Sequence, residues 1–323
     1  MTWRVLVSAP YMVPVIERFR PVFEAHDIEP LVAQVEERLS EAELLDLVGD
    51  IDGVIAGDDA FTERVLAAAP RLKVISKWGT GIDSIDSEAC KRRGISVRNT
   101  PNAFSEPVAD TVLGYILAFS RRSFETTGAI QRGEWRKPPA VALNECAVGI
   151  IGVGNCGRAV ARRVVAFGAR VIGCDPLPPP EDFLAATGME MVTKEALLEQ
   201  ADFVSLNCTL NPTSHHIIAE PELARMKPTA YLINTARGPL VDEAALVRAL
   251  EAAEIAGAGL DVFEVEPLPK NSRLARMDNV LLSPHNANSS PKAWERVHHS
   301  TIKNLIEELE KHVPWPAVSS SPA

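Results

Sequence analysis

The sequence predicts an α/β fold of two doubly wound parallel-sheet domains, one inserted into the other. Three observations carry this. Apolar runs of strand length alternate with amphipathic helical segments along nearly all of the 323 residues. A complete set of strands and helices closes before residue 102, and a second set opens only at Ala147. A final amphipathic helix lies beyond the last strand of that second set, where it has no place in the sheet.

The first set has candidate strands at Arg4–Ser8, Ile28–Ala33, Asp52–Ala56, Leu72–Ser76 and Ile95–Val97. Candidate helices lie near Val13–Ala25, Glu41–Val48, Thr62–Ala69 and Ser84–Arg93. This is a small flavodoxin-like domain. A glycine-rich turn, Lys77-Trp78-Gly79-Thr80-Gly81-Ile82-Asp83, follows its fourth strand. Asn99 to Asn102 mark a boundary. A helix then starts, with Ser105 as cap and Pro107 in its first turn. Val108, Val112, Ile116 and Phe119 are spaced for one buried face, and a loop rich in Gly, Trp and Pro (133–139) leads on.

The stretch AVGIIGVGNCGRAVARRVVAFGARVIGCDP, from Ala147 to Pro176, reads as strand, glycine turn, helix and strand. Gly152, Val153, Gly154, Asn155, Cys156 and Gly157 spell G-x-G-x-x-G. The first glycine permits a tight turn, the second lets the backbone approach a pyrophosphate, and the third lets the helix pack against the strand. The helix N-terminus offers free N–H groups to phosphate. Asp175 stands 18 residues beyond the last glycine, placed to accept from the adenosine ribose hydroxyls. A 2′-phosphate there would meet a like charge, so the site favours NAD over NADP. Together these features make a Rossmann unit.

Pro176-Leu177-Pro178-Pro179-Pro180 then interrupts regular structure. Strands recur at Asp202–Leu206, Tyr231–Asn234, Ala258–Asp261 and Val280–Ser283, with helices between them that include Glu220–Arg225 and Glu243–Ala253. With the two opening strands this makes six, the count of a full dinucleotide-binding sheet. Ser290-Pro291 opens the last helix, with Trp294, Val297, Ile302, Leu305, Ile306 and Leu309 on its apolar face. It is expected to return to the first domain. The organisation is then residues 1–102 with 287–323 as the substrate domain and 103–286 as the NAD-binding Rossmann domain, joined by two crossings that make a hinged cleft. The tail VPWPAVSSSPA is expected to fray.

Composition bounds the partners. A net charge of -10 opposes nucleic-acid binding. No apolar run reaches the roughly 20 residues of a membrane span, and the opening MTWRVLVSAP reads as a strand. Cys90, Cys146, Cys156, Cys174 and Cys208 are scattered without metal-ligand spacing, as buried thiols in a reducing cytoplasm would be. Cys156, inside the glycine loop, is a candidate for oxidation when the cofactor is absent. The pair His215-His216 reads as a surface turn.

In open α/β sheets, ligands bind outside the carboxyl ends of the strands. Arg237 follows one such strand, Asp261 ends the next with Glu266 close behind, and His285 follows the last. A cation, a carboxylate and a histidine at three neighbouring strand ends form a candidate catalytic set. Glu264 competes with Glu266 for the carboxylate.

The stretches GTGIDSID (79–86), GVGNCGRAVARRV (152–164), INTARGPLVDEAAL (233–246), GLDVFEVEP (259–267) and LSPHNA (282–287) resemble the D-isomer-specific 2-hydroxyacid dehydrogenase family over nearly the whole chain. The resemblance implies interconversion of a D-2-hydroxy acid and its 2-keto acid by hydride transfer, with NAD as cofactor. It implies an Arg–Glu–His set that maps to Arg237, Glu266 and His285. An arginine fork grips a carboxylate, and a histidine exchanges the proton of the carbinol oxygen. Glu266 would favour the imidazolium. It also implies Gly79, Thr80 and Gly81 at the substrate carboxylate together with Arg237 and His285. Around the cofactor it implies Thr80, Cys208, Thr209, Thr235, Ala236, Arg237, Asp261 and His285 besides the glycine loop and Asp175, with Asp261 at the nicotinamide carboxamide. A homodimer through the 103–140 segment is a further expectation.

The chain departs from the family pattern at two places. Asn207-Cys208-Thr209-Leu210 lacks the proline expected beneath the adenine. Gly57-Asp58-Asp59 stands where phosphoglycerate-specific relatives carry an arginine, and two carboxylates there argue against 3-phosphoglycerate. The alternatives are an NADH-responsive, non-catalytic binding protein of corepressor type, or a phosphite or other small-anion dehydrogenase on the same scaffold. Glu266 in place of glutamine argues against formate.

Overall fold

The computed structural model describes residues 2–312; the expected fraying of the tail falls outside them. The chain forms two compact units. One comprises the described residues up to Ala103 together with those from Pro291 onward, and the other is Phe104–Ser290.

In the first unit β1 (Trp3–Val7), α1 (Arg20–Ala25), β2 (Ile28–Val32), α2 (Glu41–Leu47), β3 (Gly53–Ala56), α3 (Glu63–Ala67), β4 (Val74–Lys77), α4 (Ser87–Arg93) and β5 (Ser96–Arg98) follow one another. The sheet order is β2-β1-β3-β4-β5, all parallel, which is the flavodoxin-like order. The single helix expected over Val13–Ala25 is instead a 3-10 segment, Val13–Phe19, followed by α1. Pro21 explains the break, because it lacks an N–H and clashes with the carbonyl four residues back.

The second unit contains α5 (Ser105–Ser120), α6 (Ser123–Gln131), β6 (Ala147–Ile151), α7 (Asn155–Ala166), β7 (Arg170–Cys174), α8 (Glu181–Thr187), β8 (Glu190–Met191), α9 (Lys194–Gln200), β9 (Phe203–Leu206), α10 (Glu220–Leu223), β10 (Tyr231–Asn234), α11 (Glu243–Glu251), β11 (Gly257–Leu260) and β12 (Val280–Leu282). Its parallel sheet runs β12-β11-β10-β9-β6-β7-β8. This is the doubly wound dinucleotide-binding order with one strand more than the expected six. The extra edge strand, β8, is two residues long and too short to show a period in sequence. The order reverses between β6 and β9, which is where such sheets bind ligands. Helix α5 packs on α7 through Ala109, Val112 and Ile116, all fully buried, while Val108 and Phe119 are only half-buried. Arg163 on α7 pairs with Glu106 and Asp110 of α5.

The last helix, α12 (Pro291–Glu310), belongs to the first unit. It lies against β3, β4 and β5, buries Val297, Ile302, Leu305, Ile306 and Leu309, and its Thr301 carbonyl accepts from Ser76 Oγ at 2.8 Å.

Candidate active site

The glycine loop after β6 is shaped by close approach. Gly152 has φ +93, and a Cβ there would lie 2.4 Å from the Cys208 nitrogen. A Cβ at Gly157 would lie 2.0 Å from the Gly152 carbonyl oxygen. Gly154 is different: it is exposed, and a Cβ on it would meet nothing within 4 Å. No side chain caps the N-terminus of α7, which leaves its first-turn N–H groups without that competitor for a phosphate. Asn155 is exposed and accepts from Arg158 at 2.9 Å. Asp175 follows β7, where its Oδ2 accepts from the Val153 N–H at 2.7 Å and its Oδ1 from the Leu177 N–H at 2.8 Å.

This cradle fits a dinucleotide. At the carboxyl ends of β10 and β9, Thr235 Oγ1 and Asn207 Oδ1 are buried without a hydrogen-bond partner. A bound polar ligand would relieve the desolvation of such orphaned atoms. Ala236 and Cys208 are half-buried beside them, and Thr209 is exposed. Cys156 is half-buried in this loop. Its Sγ lies 3.5 Å from Ser105 Oγ, and burial pushes the thiol up. Burial likewise pushes Cys208 up to about 11.

Arg237 is presented by a turn that Asn234 organises. The Asn234 side chain, nearly fully buried, accepts from the Ala236 N–H at 3.1 Å and donates to the Arg237 carbonyl at 2.8 Å. Gly238 follows, and a Cβ there would fall 1.9 Å from the Phe263 carbonyl oxygen. The turns after β10 and β11 therefore press backbone to backbone. Glu266 sits on the second turn, and its Oε1 accepts from the Phe263 N–H at 2.9 Å.

His285 follows β12 with φ +50, a left-handed conformation that costs a non-glycine residue roughly 1–2 kcal/mol. Asp261 holds it there. The Asp261 carbonyl accepts from the His285 N–H at 2.7 Å, and its carboxylate accepts from Asn286 N and Ala287 N, each at 2.8 Å, and from Ser283 Oγ. The imidazole then meets Glu266, with Nδ1 at 2.9 Å from Oε2. Both side chains remain partly exposed, 23% and 17%. Glu264 turns elsewhere: its Oε1 lies 2.6 Å from His216 Nε2. The structure thus separates the two carboxylates, with Glu266, the one the family pattern selects, at His285, and gives His216 an acid partner distant in sequence.

Asp261, expected at the nicotinamide carboxamide, is 1% exposed and engages its carboxylate with the His285 loop. Gly79, Thr80 and Gly81 lie in the first unit after β4. There Gly79 has φ +116 and Thr80 Oγ1 donates to the Thr100 carbonyl at 3.0 Å. Trp78 is core: it stacks on Tyr11 at 4.8 Å and its Nε1 donates to His298 Nδ1 at 3.0 Å. Asp59 does not stand free to repel a ligand. It is fully buried and accepts from Ser8 Oγ, Leu39 N and Gly57 N at 2.6, 2.8 and 2.9 Å. Asp58 is 3.1 Å from the buried Lys77 ammonium. Neither carboxylate is therefore an unpaired charge that would repel a phosphorylated substrate.

Sequence reasoning did not single out Asn234, Gly238 or Ser283, although each lies inside a quoted motif. Their roles depend on partners from other strands. Among the described residues no group of three or more His, Cys, Asp or Glu side chains is arranged for a metal ion, and no helix is long and apolar enough to cross a membrane.

Comparison with known proteins gives concordant matches. Residues 113–287 match the family model of the D-isomer specific 2-hydroxyacid dehydrogenase NAD binding domain. A glyoxylate reductase of Korarchaeum cryptofilum is 38% identical over 282 residues, 85% of each chain. A hydroxypyruvate reductase of Thermotoga maritima is 35% identical over 278 residues, 84% of this chain and 90% of that protein. The crystal structure of D-lactate dehydrogenase from Aquifex aeolicus, complexed with NAD and lactic acid, superposes with a TM-score of 0.83 at 28% identity, covering 97% of this chain and 100% of the other.

Proposed function

The chain belongs to the D-isomer-specific 2-hydroxyacid dehydrogenase family, and on that premise we propose how its residues divide the reaction. The protein is an NAD-dependent oxidoreductase that interconverts a 2-hydroxy acid and its 2-keto acid. We assign cofactor binding to the glycine loop, Asp175 and the strand ends of the Phe104–Ser290 unit. Substrate selection is assigned to the other unit, with Gly79, Thr80 and Gly81 carried over by family pattern.

NADH, when bound, supplies the hydride, and NAD takes it back in the reverse direction. Arg237 grips the substrate carboxylate with its planar fork and polarises the neighbouring carbonyl. His285 donates a proton to the carbonyl oxygen during reduction and receives it during oxidation. Because Glu266 accepts at Nδ1, that nitrogen carries its hydrogen and Nε2 is the one that exchanges the substrate proton. The His285–Glu266 pair is the single observation that carries this reading.

The substrate class we assign is a small 2-keto acid of the glyoxylate or hydroxypyruvate kind, supported by the activities of the relatives. The preference for NAD over NADP rests on Asp175. We further assign a homodimer in which a second copy covers the apolar surface of α6 and the following loop, where Phe124, Ile130 and Trp135 are 65%, 52% and 82% exposed. Cytoplasmic location is part of the same reading, supported by five free cysteines. The test is NADH oxidation with a panel of glyoxylate, hydroxypyruvate, pyruvate and phosphohydroxypyruvate. Turnover of one or more small keto acids supports the assignment; tight NADH binding with no turnover of any overturns it.

A further inference from the structure

We propose that Tyr115 and Ser283 are positioning residues that hold His285 in its working conformation, acting through Asp261. The inference rests on the assignment of His285 as the proton donor.

The hydrogen-bond directions are set by the chemistry of the groups. Asp261 is 1% exposed, and a buried carboxylate needs donors around it. Its three donors, Ser283 Oγ, Asn286 N and Ala287 N, all come from the loop that carries His285. The loop is wound around this one carboxylate. Left-handed φ at a residue such as His285 persists only where its surroundings over-determine it, and Asp261 supplies that determination.

Ser283 has one hydroxyl proton, which it gives to Asp261. Its oxygen is then an acceptor, and Tyr115 Oη lies 2.9 Å away. Tyr115 also has one proton. Its other acceptor in reach, the Leu260 carbonyl, is at 3.4 Å, the weak end of the range. The relay therefore runs from Tyr115 O–H to Ser283 O–H to the Asp261 carboxylate. Burial pushes the Tyr115 phenol up, so it stays a donor across the working pH range.

The sequence makes room for this contact. Tyr115 lies on α5, and its ring covers Gly259 of β11, where a Cβ would come 2.8 Å from Tyr115 Cγ. The glycine two residues before Asp261 is thus what admits the tyrosine. Tyr115 fixes the Ser283 rotamer, Ser283 fixes the carboxylate, and the carboxylate fixes the backbone of His285. A displacement of the histidine by about 1 Å is enough to cost on the order of 100-fold in rate.

The experiment compares Ser283→Ala, Ser283→Thr, Tyr115→Phe and the double variant Tyr115→Phe/Ser283→Ala in the full chain. It reads kcat and KM for the keto acid, the NADH dissociation constant and the melting midpoint. Ser283→Ala is expected to lower kcat by about 30-fold, and Tyr115→Phe by about 5-fold, with NADH affinity and KM near wild type. Ser283→Thr, which keeps the hydroxyl, is expected to recover most of the rate. The double variant is expected to match Ser283→Ala, because residues of one relay do not add. The proposal is overturned if Tyr115→Phe retains wild-type kcat, or if Ser283→Thr is as impaired as Ser283→Ala. If Ser283→Ala does not fold, Tyr115→Phe decides alone. A His285→Ala variant with wild-type turnover would instead overturn the proton-donor assignment, so the two failures are distinct.

Discussion

Oε2 of Glu266 lies 2.9 Å from Nδ1 of His285, while Oε1 of the same carboxylate accepts from the Phe263 N–H. One side chain thus fixes a charge beside the imidazole and locks its own turn. A carboxylate in that place favours the imidazolium. Replacing it by Glu266→Gln keeps the shape and removes the charge. The variant should lose about 10- to 100-fold in kcat/KM for reduction near neutral pH. Its alkaline fall-off should move to lower pH, because the donor gives up its proton sooner. A pH profile of kcat/KM in both proteins checks this, and an unmoved alkaline limb contradicts it.

Gly238 is the contact between the turns that carry Arg237 and Glu266. A methyl group there would overlap the Phe263 carbonyl oxygen, and neither backbone can yield cheaply. Gly238→Ala should destabilise the fold by about 1–3 kcal/mol and lower turnover by more than the stability loss explains. Urea unfolding alongside kcat measures both; normal activity with normal stability would show that the two turns are not coupled.

Asp175 engages both oxygens with backbone N–H groups of its own loop. Its removal should therefore do two things. Asp175→Ala should weaken NADH binding and also narrow the preference for NAD over NADP. Asp175→Asn keeps an acceptor and should narrow the preference with less loss of affinity. The kcat/KM ratio for the two cofactors is the readout, and an unchanged ratio in both variants places Asp175 away from the ribose.

His298, buried on α12, accepts a hydrogen bond from Trp78 on Nδ1. Burial lowers its pKa, against the opposing pull of Glu295. A histidine with a depressed folded pKa contributes stability above its unfolded value, near 6.5, and loses it as pH falls through the folded value. The wild-type melting midpoint should therefore fall more steeply below pH 6.5 than that of His298→Gln. Parallel slopes for the two proteins would contradict it.

What the sequence disclosed was what is local. The glycine loop was legible because Gly152, Gly154 and Gly157 act through their own backbone and the adjoining helix. The parallel sheets followed from alternating runs, but the two-residue β8 left no pattern to read. Pro21 divides the segment expected as one helix over Val13–Ala25. The hidden features depend on distant partners. Asp59 reads as a free surface charge until Ser8 and Leu39 are seen to enclose it. The family pattern selects Glu266 over Glu264, but only the folded turns show why: one meets His285 and the other His216. Tyr115 reads as one more ring on a helix face, since its partner Ser283 lies 168 positions further along the chain.

The most direct test of the account is His285→Ala, assayed for NADH oxidation with the best keto acid and, separately, for NADH binding by fluorescence titration. If His285 is the proton donor, kcat falls by at least about 100-fold while the NADH dissociation constant stays within about 2-fold of wild type, a change of under about 0.5 kcal/mol. Turnover at the wild-type rate, or loss of NADH binding with turnover preserved at saturation, would contradict it.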